Sequence, residues 1–421
     1  MVKLKVEESQ KKKILIIGDA VVPTGFARVL HSLFTPLTKK YSIHHLGVNY
    51  RGDPHNFNYP IYPAILGGDI YGFGRLENLI EVIKPDVIFI LNDLWIHSDY
   101  VERLNKYLGK IKIILYTPID GGPIEPSWLK SIKDVDRLLV YTNFGKSVIN
   151  QGLKVWGENE TIKFPKVEIL PHGIDTTKFY PFQDKDIAKR TLYPNREDFF
   201  NNSFIVLNAN RNQPRKRLDI TLKAFALFSK DKPSNVKLYL HTGVEDMGWN
   251  ILSLAKRYGI DSRVIITSLA HNLQTVPDEK LNLIYNACDV GLNTSVGEGW
   301  GLCSWEHAAT KAAQIVPKHS SNIELWEKRR GILIEPSFQL TTERVLTEGF
   351  IVAPESVAKG LQVLYENKDL RNELAENAYN YITKKRFSWK AISKKLDNII
   401  MDVLEEKSKE EAEDYGNIVA I

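Results

Sequence analysis

The chain has 421 residues, enough for two domains of ordinary size, each with its own core. Hydrophobic residues make up 43% and charged residues 25%, a globular balance that excludes a disordered or low-complexity chain. The formal charge of +5 suits an anionic ligand but is too dilute for a nucleic-acid binder, and no nucleic-acid-binding signature accompanies it. Cys288 and Cys303 fall in the expected interior and read as reduced core residues, which points to a cytoplasmic compartment. No stretch approaches the ~20 apolar residues of a membrane span. The apolar run after Lys11-Lys12-Lys13 stops at Gly18-Asp19, so it reads as a strand rather than a signal peptide.

Residues 1–12 read as a polar start. Strands are then expected at Ile14–Ile17, Ile43–Val48, Val87–Leu91, Ile111–Tyr116, Leu138–Tyr141 and Val167–Leu170, with helical stretches such as Phe26–Phe34, Leu76–Ile83 and Tyr100–Leu108 between them. This alternation predicts a parallel sheet covered on both faces, with ligands at the carboxyl ends of its strands. The first such end is Asp19–Arg28, where Gly25 lets the backbone approach a ligand. Tyr50–Gly74 is a long Gly-, Pro- and aromatic-rich connection whose rings either stack on a sugar or fill a small local core. Two further carboxyl-end loops are Asn92-Asp93-Leu94-Trp95 and Thr117–Pro123, the second carrying Asp120. Asp134-Val135-Asp136 precedes its strand and reads as a solvated helix end, and the histidines show no metal-binding spacing, so no metal site is expected.

Residues 181–202 are polar and Pro-interrupted and read as an interdomain linker. A second alternating series follows, with strands at Phe204–Leu207, Val236–Leu240, Val264–Ile266, Val290–Leu292, Ile315–Pro317 and Ile332–Ile334. Helices are expected at Leu218–Phe228, Ile251–Tyr258 and Glu279–Ala287. Phe338–Ile351 reads as a mostly polar insertion, Pro354–Lys385 as two helices, and residues from Phe387 to about Glu406 as a final amphipathic helix with a frayed tail to 421.

The centre of the chain is Ser295–Ala309, a Gly-rich turn between the strand Val290–Leu292 and a helix expected over Ser304–Ala313. Unpaired N–H groups and the helix dipole favour an anion at such a turn. A phosphate there would repel Glu298 and Glu306, so the two carboxylates are expected to serve neutral hydroxyls on either side of it, a sugar and a ribose.

Glu298-Gly299-Trp300-Gly301-Leu302 with Glu306 resembles the E-x7-E signature of family 4 retaining glycosyltransferases of the GT-B architecture. The turn Asn210–Asp219 carries Arg211 and, five residues on, Lys216, which is similar to the family's arginine and lysine at this place. The resemblance covers most of the chain and implies an α/β fold of two Rossmann-like domains with a cleft between them. Residues 1–180, completed by the helix 388–421, are then the acceptor-side domain, 181–202 the linker, and 203–387 the donor-side domain.

By the same resemblance the activity is metal-independent, retaining transfer of a sugar from a nucleotide-diphosphate sugar, without a cofactor, to a glycan, lipid or protein acceptor. It implies catalytic roles for Glu298, Arg211 and Lys216, and donor contacts by Glu306, Gly299, Trp300, Gly301, Leu302, Gly25 and Asp120. Arg211 and Lys216 are expected to face the diphosphate, as cleft residues whose removal changes folding little. Many members carry a histidine where Asp120 stands. Pro171–Asp175 and Phe179 resemble the family's hinge-side turn. The alternatives are a non-catalytic nucleotide-sugar-binding protein or an epimerase of the same architecture, and a peripheral membrane contact stays open.

Overall fold

The central strands are runs of β-branched, aliphatic and aromatic residues, of which Val87-Ile88-Phe89-Ile90-Leu91 is buried throughout. Such continuous burial belongs to a parallel sheet covered on both faces. The computed structural model describes residues 11–65, 67–157, 163–192, 202–270, 275–343 and 345–416. The expectations for residues 1–10, for residues 193–201 of the linker and for the last five residues of the tail lie outside them.

The first sheet contains β1 (Lys13–Asp19), β2 (Ser42–Val48), β3 (Ile61–Pro63), β4 (Val87–Leu91), β5 (Lys112–Thr117), β6 (Arg137–Val140) and β7 (Lys166–Ile169). Their order is β3-β2-β1-β4-β5-β6-β7, and every pair is parallel. The second sheet contains β8 (Phe204–Asn208), β9 (Val236–Leu240), β10 (Val264–Ile266), β11 (Val290–Leu292), β12 (Ala313–Pro317) and β13 (Ile332–Ile334), in the order β10-β9-β8-β11-β12-β13, again all parallel. Both are doubly wound Rossmann-like orders. The direction of winding reverses between β1 and β4 in one sheet and between β8 and β11 in the other, and ligands sit at the carboxyl ends beside such a reversal.

The chain forms two compact units, residues 1–119, 123–173 and 389–421, and residues 120–122 with 174–388. The changeover therefore falls at 173/174 rather than at 180. It is fixed in the second unit by the Ile174 N–H, which donates to the Phe387 carbonyl at 2.7 Å. The part of the expected linker before 193 is also not a linker. Its residues Lys185–Leu192 form a helix of the second unit that buries Ala188 and Lys189, and Lys189 Nζ donates to the Ser203 carbonyl at 2.6 Å. Polar composition hid this helix because its lysine is buried through a carbonyl and through Asp289, 3.3 Å away.

In the first unit the helix Trp389–Gly416 returns to the sheet that opened the chain. Ser393 Oγ donates to the Leu33 carbonyl at 2.7 Å, Tyr41 donates to Asp397 at 2.6 Å, and Arg137 donates to Glu406 at 2.5 Å. The backbone stays helical past Glu406 to Gly416, so the tail is not frayed over that stretch. The Tyr50–Gly74 connection contains β3, and its rings make a local core: Tyr50 and Tyr59 are buried, and Phe57 stacks on His31 with centroids 3.5 Å apart. Leu94 and Trp95, expected in a loop, open the helix Leu94–Leu104, because extended Asp93 at its N-cap starts it earlier than the apolar periodicity alone indicates. The insertion 338–351 is an antiparallel hairpin of β14 (Phe338–Thr341) and β15 (Glu348–Ile351).

Candidate functional site

At the reversal of the second sheet, the turns after β8 and β11 bring Lys216 and Glu298 together. Lys216 Nζ lies 2.5 Å from Glu298 Oε1, and both side chains are buried. Asn293, at the end of β11, donates to the same oxygen at 3.0 Å. Arg215 stands on the other side, its Nη1 at 3.8 Å from Glu298 Oε2 and 3.8 Å from Asp120 Oδ2, and it donates to the Gly297 carbonyl at 3.2 Å. Burial alone would push the Glu298 carboxyl up. Lys216, then Arg215, with hydrogen bonds from Lys216 and Asn293, bring it down to about 2 instead. Burial, with Arg215 beside it, lowers the Lys216 ammonium from the ordinary lysine value, and Glu298 opposes that shift.

The backbone around Glu298 is held from the turn that follows the next strand, β12. Ser320 Oγ accepts from the Glu298 N–H at 3.1 Å, and Ser321 Oγ donates to the Glu298 carbonyl at 2.5 Å. Two glycines are required by geometry. A Cβ on Gly297 would stand 2.3 Å from the Asp120 carbonyl oxygen. Gly301 has φ +86°, the left-handed region a side chain rarely adopts, and caps the helix Leu302–Ala308. Among the described residues, no group accepts from the N–H of Gly299, Gly301 or Leu302. Three uncommitted main-chain donors thus lie in the turn that carries Glu298.

The helix is shorter than expected. Thr310 donates back to His307 and Lys311 to Ala308, Lys311 takes a left-handed φ of 57°, and Ala313 already begins β12. Glu306 lies within this helix, buried, and accepts from Tyr285 Oη at 3.1 Å.

Not every residue expected at the donor stands with this cluster. Arg211 is engaged by Asp246, Nε to Oδ2 at 2.6 Å and Nη2 to Oδ1 at 3.1 Å. Trp300 is buried edge-to-face against Trp305 at 4.8 Å and Phe387 at 6.3 Å, so its ring packs the turn from below. Gly25 opens a helix of the first unit, Gly25–Phe34. That helix is capped by Thr24, which accepts from the Ala27 N–H at 3.2 Å and donates to Asp19 at 2.6 Å. Asp120 belongs by contact to the second unit, where the Glu348 N–H of β15 donates to the Gly122 carbonyl at 3.0 Å.

Arg215 and Asn293 escaped sequence reasoning. The signals were there: Arg215 is the first of the run Arg215-Lys216-Arg217, and Asn293 directly follows the strand β11. Asp136, expected in a solvated helix end, instead accepts from the Ile113 N–H at 2.7 Å and pairs with Lys112 at 2.9 Å. It ties β5 to β6. Among the described residues, no group of three or more His, Cys, Asp or Glu side chains is arranged to hold a metal, and no helix is long and apolar enough to cross a membrane.

The architecture is GT-B, two Rossmann-like domains, the fold of glycosyltransferases. The chain is similar to the sucrose-phosphate synthase of Thermosynechococcus elongatus, with a TM-score of 0.71 and 15% identity over 94% of this chain and 100% of that one. It is also similar to HepE of Anabaena in complex with UDP and glucose (TM-score 0.68, 15% identity, 93% of this chain, 100% of that one). A third likeness is to WaaG, a glycosyltransferase involved in lipopolysaccharide biosynthesis (TM-score 0.67, 13% identity, 92% and 99%). No protein-family model and no curated protein matches the chain.

Proposed function

We propose that the protein is a retaining, metal-independent glycosyltransferase that moves a hexosyl unit from a nucleoside diphosphate sugar to a hydroxyl of a glycan, lipid or protein. The observation that carries this reading is the buried Lys216–Glu298 pair beside the free N–H groups of Gly299, Gly301 and Leu302. The UDP and glucose held by HepE, a structure of the same fold, support a nucleotide sugar as donor.

The chemistry needed is modest, because a diphosphate is already a good leaving group. The bond from the anomeric carbon to the phosphate oxygen breaks, and negative charge grows on the departing diphosphate. Fixed positive charge and main-chain donors aimed at that charge lower the barrier most. Lys216, Arg215 and the turn N–H groups supply both. Glu298, ionised at any ordinary pH, accepts from hydroxyls of the transferred sugar, and Glu306 from those of the ribose. The acceptor hydroxyl then bonds to the anomeric carbon on the face the diphosphate leaves, and its proton passes to the departing phosphate oxygen. Configuration is retained without a protein nucleophile.

Incubation with a panel of UDP-, GDP- and ADP-sugars, with and without sugar, lipid and peptide acceptors, tests this. Nucleotide release that needs an acceptor, and that persists in excess chelator, is expected. Loss of release in chelator, restored by manganese or magnesium, would overturn metal independence. Binding without any release would leave a nucleotide-sugar-binding protein in place of an enzyme.

A further inference from the structure

The turn after β8 carries a further cation, Arg211, engaged outside the cluster of Lys216, Arg215 and Glu298. Arg211 is held by Asp246 in a two-pronged contact of 2.6 and 3.1 Å, the arrangement in which a guanidinium binds a carboxylate best. The partners differ in setting: the Asp246 side chain is 4% exposed and that of Arg211 is 42% exposed. Asp246 also has a φ of 43°, which a residue with a side chain rarely adopts.

Asn212, the residue after Arg211, holds that backbone in place. It is fully buried, and its Nδ2 donates to the carbonyls of Glu245 at 2.9 Å and Trp249 at 2.7 Å. Its Oδ1 accepts from the Trp249 N–H at 3.1 Å, and its carbonyl from the Met247 N–H at 3.3 Å. The segment 243–249 is therefore clasped to the turn that bears Arg211. The carboxylate is the fixed member of the pair, and the half-exposed guanidinium is the one free to turn.

We propose that Asp246 is a positioning residue that holds Arg211 when no nucleoside diphosphate is bound and competes with the diphosphate for it. This rests on the donor reading given above, extended to Arg211, whose turn meets the start of the helix Leu302–Ala308 where Cys303 Sγ donates to the Ala209 carbonyl at 3.2 Å. A guanidinium makes one two-pronged contact on a given edge at a time, and a diphosphate, like a carboxylate, presents paired anionic oxygens that such an edge can grip. Donor binding then exchanges Asp246 for phosphate, and departure of the product reverses the exchange. Asp246 weakens the hold on the spent nucleotide and eases its release.

Calorimetric titration with UDP, GDP and ADP, and with the bare nucleoside of whichever binds, tests the exchange in a double-mutant cycle. Asp246→Asn is expected to bind the diphosphate roughly threefold to tenfold tighter, the scale of one partly exposed ion pair. In an Arg211→Ala background the same substitution is expected to change nothing, and affinity for the bare nucleoside is expected to stay constant throughout. Unchanged or weaker diphosphate binding by Asp246→Asn overturns the proposal. An equal gain in both backgrounds also overturns it, since Asp246 would then only repel phosphate. Should Asp246→Asn fail to fold, Asp246→Gly, which suits the left-handed backbone, carries the same expectation. If none of the three diphosphates binds the unaltered protein, the donor reading itself fails and this exchange with it.

Discussion

Replacing Lys216 with methionine is expected to lower turnover by roughly two to three orders of magnitude, the scale of losing one donor to a developing oxyanion, and to lower stability as well. The second effect is not what a cleft lysine implies. It follows from the structure, where Lys216 Nζ lies 2.5 Å from Glu298 Oε1 and both side chains are buried. Removing one partner leaves a buried carboxylate with Asn293 and the more distant Arg215 for company, which costs about 3–5 kcal/mol in comparable pairs. Lys216→Met combined with Glu298→Gln should recover most of that stability, because a neutral amide still accepts from Asn293. Transfer should stay as low as in the single variant. Denaturant midpoints alongside turnover separate the two effects, and a single variant that is both stable and active would overturn the assignment.

The pH dependence of the same pair has a definite sign. The Glu298 carboxyl sits at about 2 in the folded protein, below its ordinary value of 4.5. Its contribution to stability is therefore fully present above about 4.5 and lost only as pH falls toward 2. In Lys216→Met the cation is gone and burial pushes the carboxyl up, so that variant should regain stability on mild acidification.

Both sheets were legible in the sequence because continuous apolar runs such as Val87–Leu91 and Val236–Leu240 admit little other than buried parallel strands. The turn 295–302 was legible because a strand, a Gly-rich turn and a following helix restrict one another. What escaped was set by contacts distant in sequence. Nothing near Arg211 foretells Asp246, 35 positions on, as its partner. Nothing in the charge of Lys189 foretells that it is buried against the Ser203 carbonyl. The hairpin β14–β15 was read as polar insertion because Phe338 and most of its strand face outward, and its role appears only where Phe350 N–H donates to the Val296 carbonyl at 3.1 Å. Trp300 was expected at the donor by its place in the motif, and its edge-to-face packing on Trp305 at 4.8 Å could not be foreseen from that place alone.

The two carboxylates are expected to separate cleanly when each is replaced by its isosteric amide. Glu306 accepts from Tyr285 Oη at 3.1 Å within the helix Leu302–Ala308, while Glu298 is locked to Lys216 in the turn before it. If Glu306 reads the ribose, Glu306→Gln should weaken binding of the free nucleoside diphosphate by about tenfold, about the worth of one hydrogen bond to a charged group. The full donor should lose affinity by the same factor. If Glu298 reads the transferred sugar, Glu298→Gln should bind the free diphosphate at least as well as the unaltered protein, because Lys216 no longer shares its charge with a carboxylate. Transfer by Glu298→Gln should nevertheless fall by at least about a hundredfold, since the reacting carbon is no longer held toward the acceptor. Calorimetric titration with the diphosphate, set beside turnover with the sugar donor, measures both. Loss of diphosphate binding in Glu298→Gln with full retention in Glu306→Gln would reverse the donor, placing its nucleoside over the turn and its sugar over the helix.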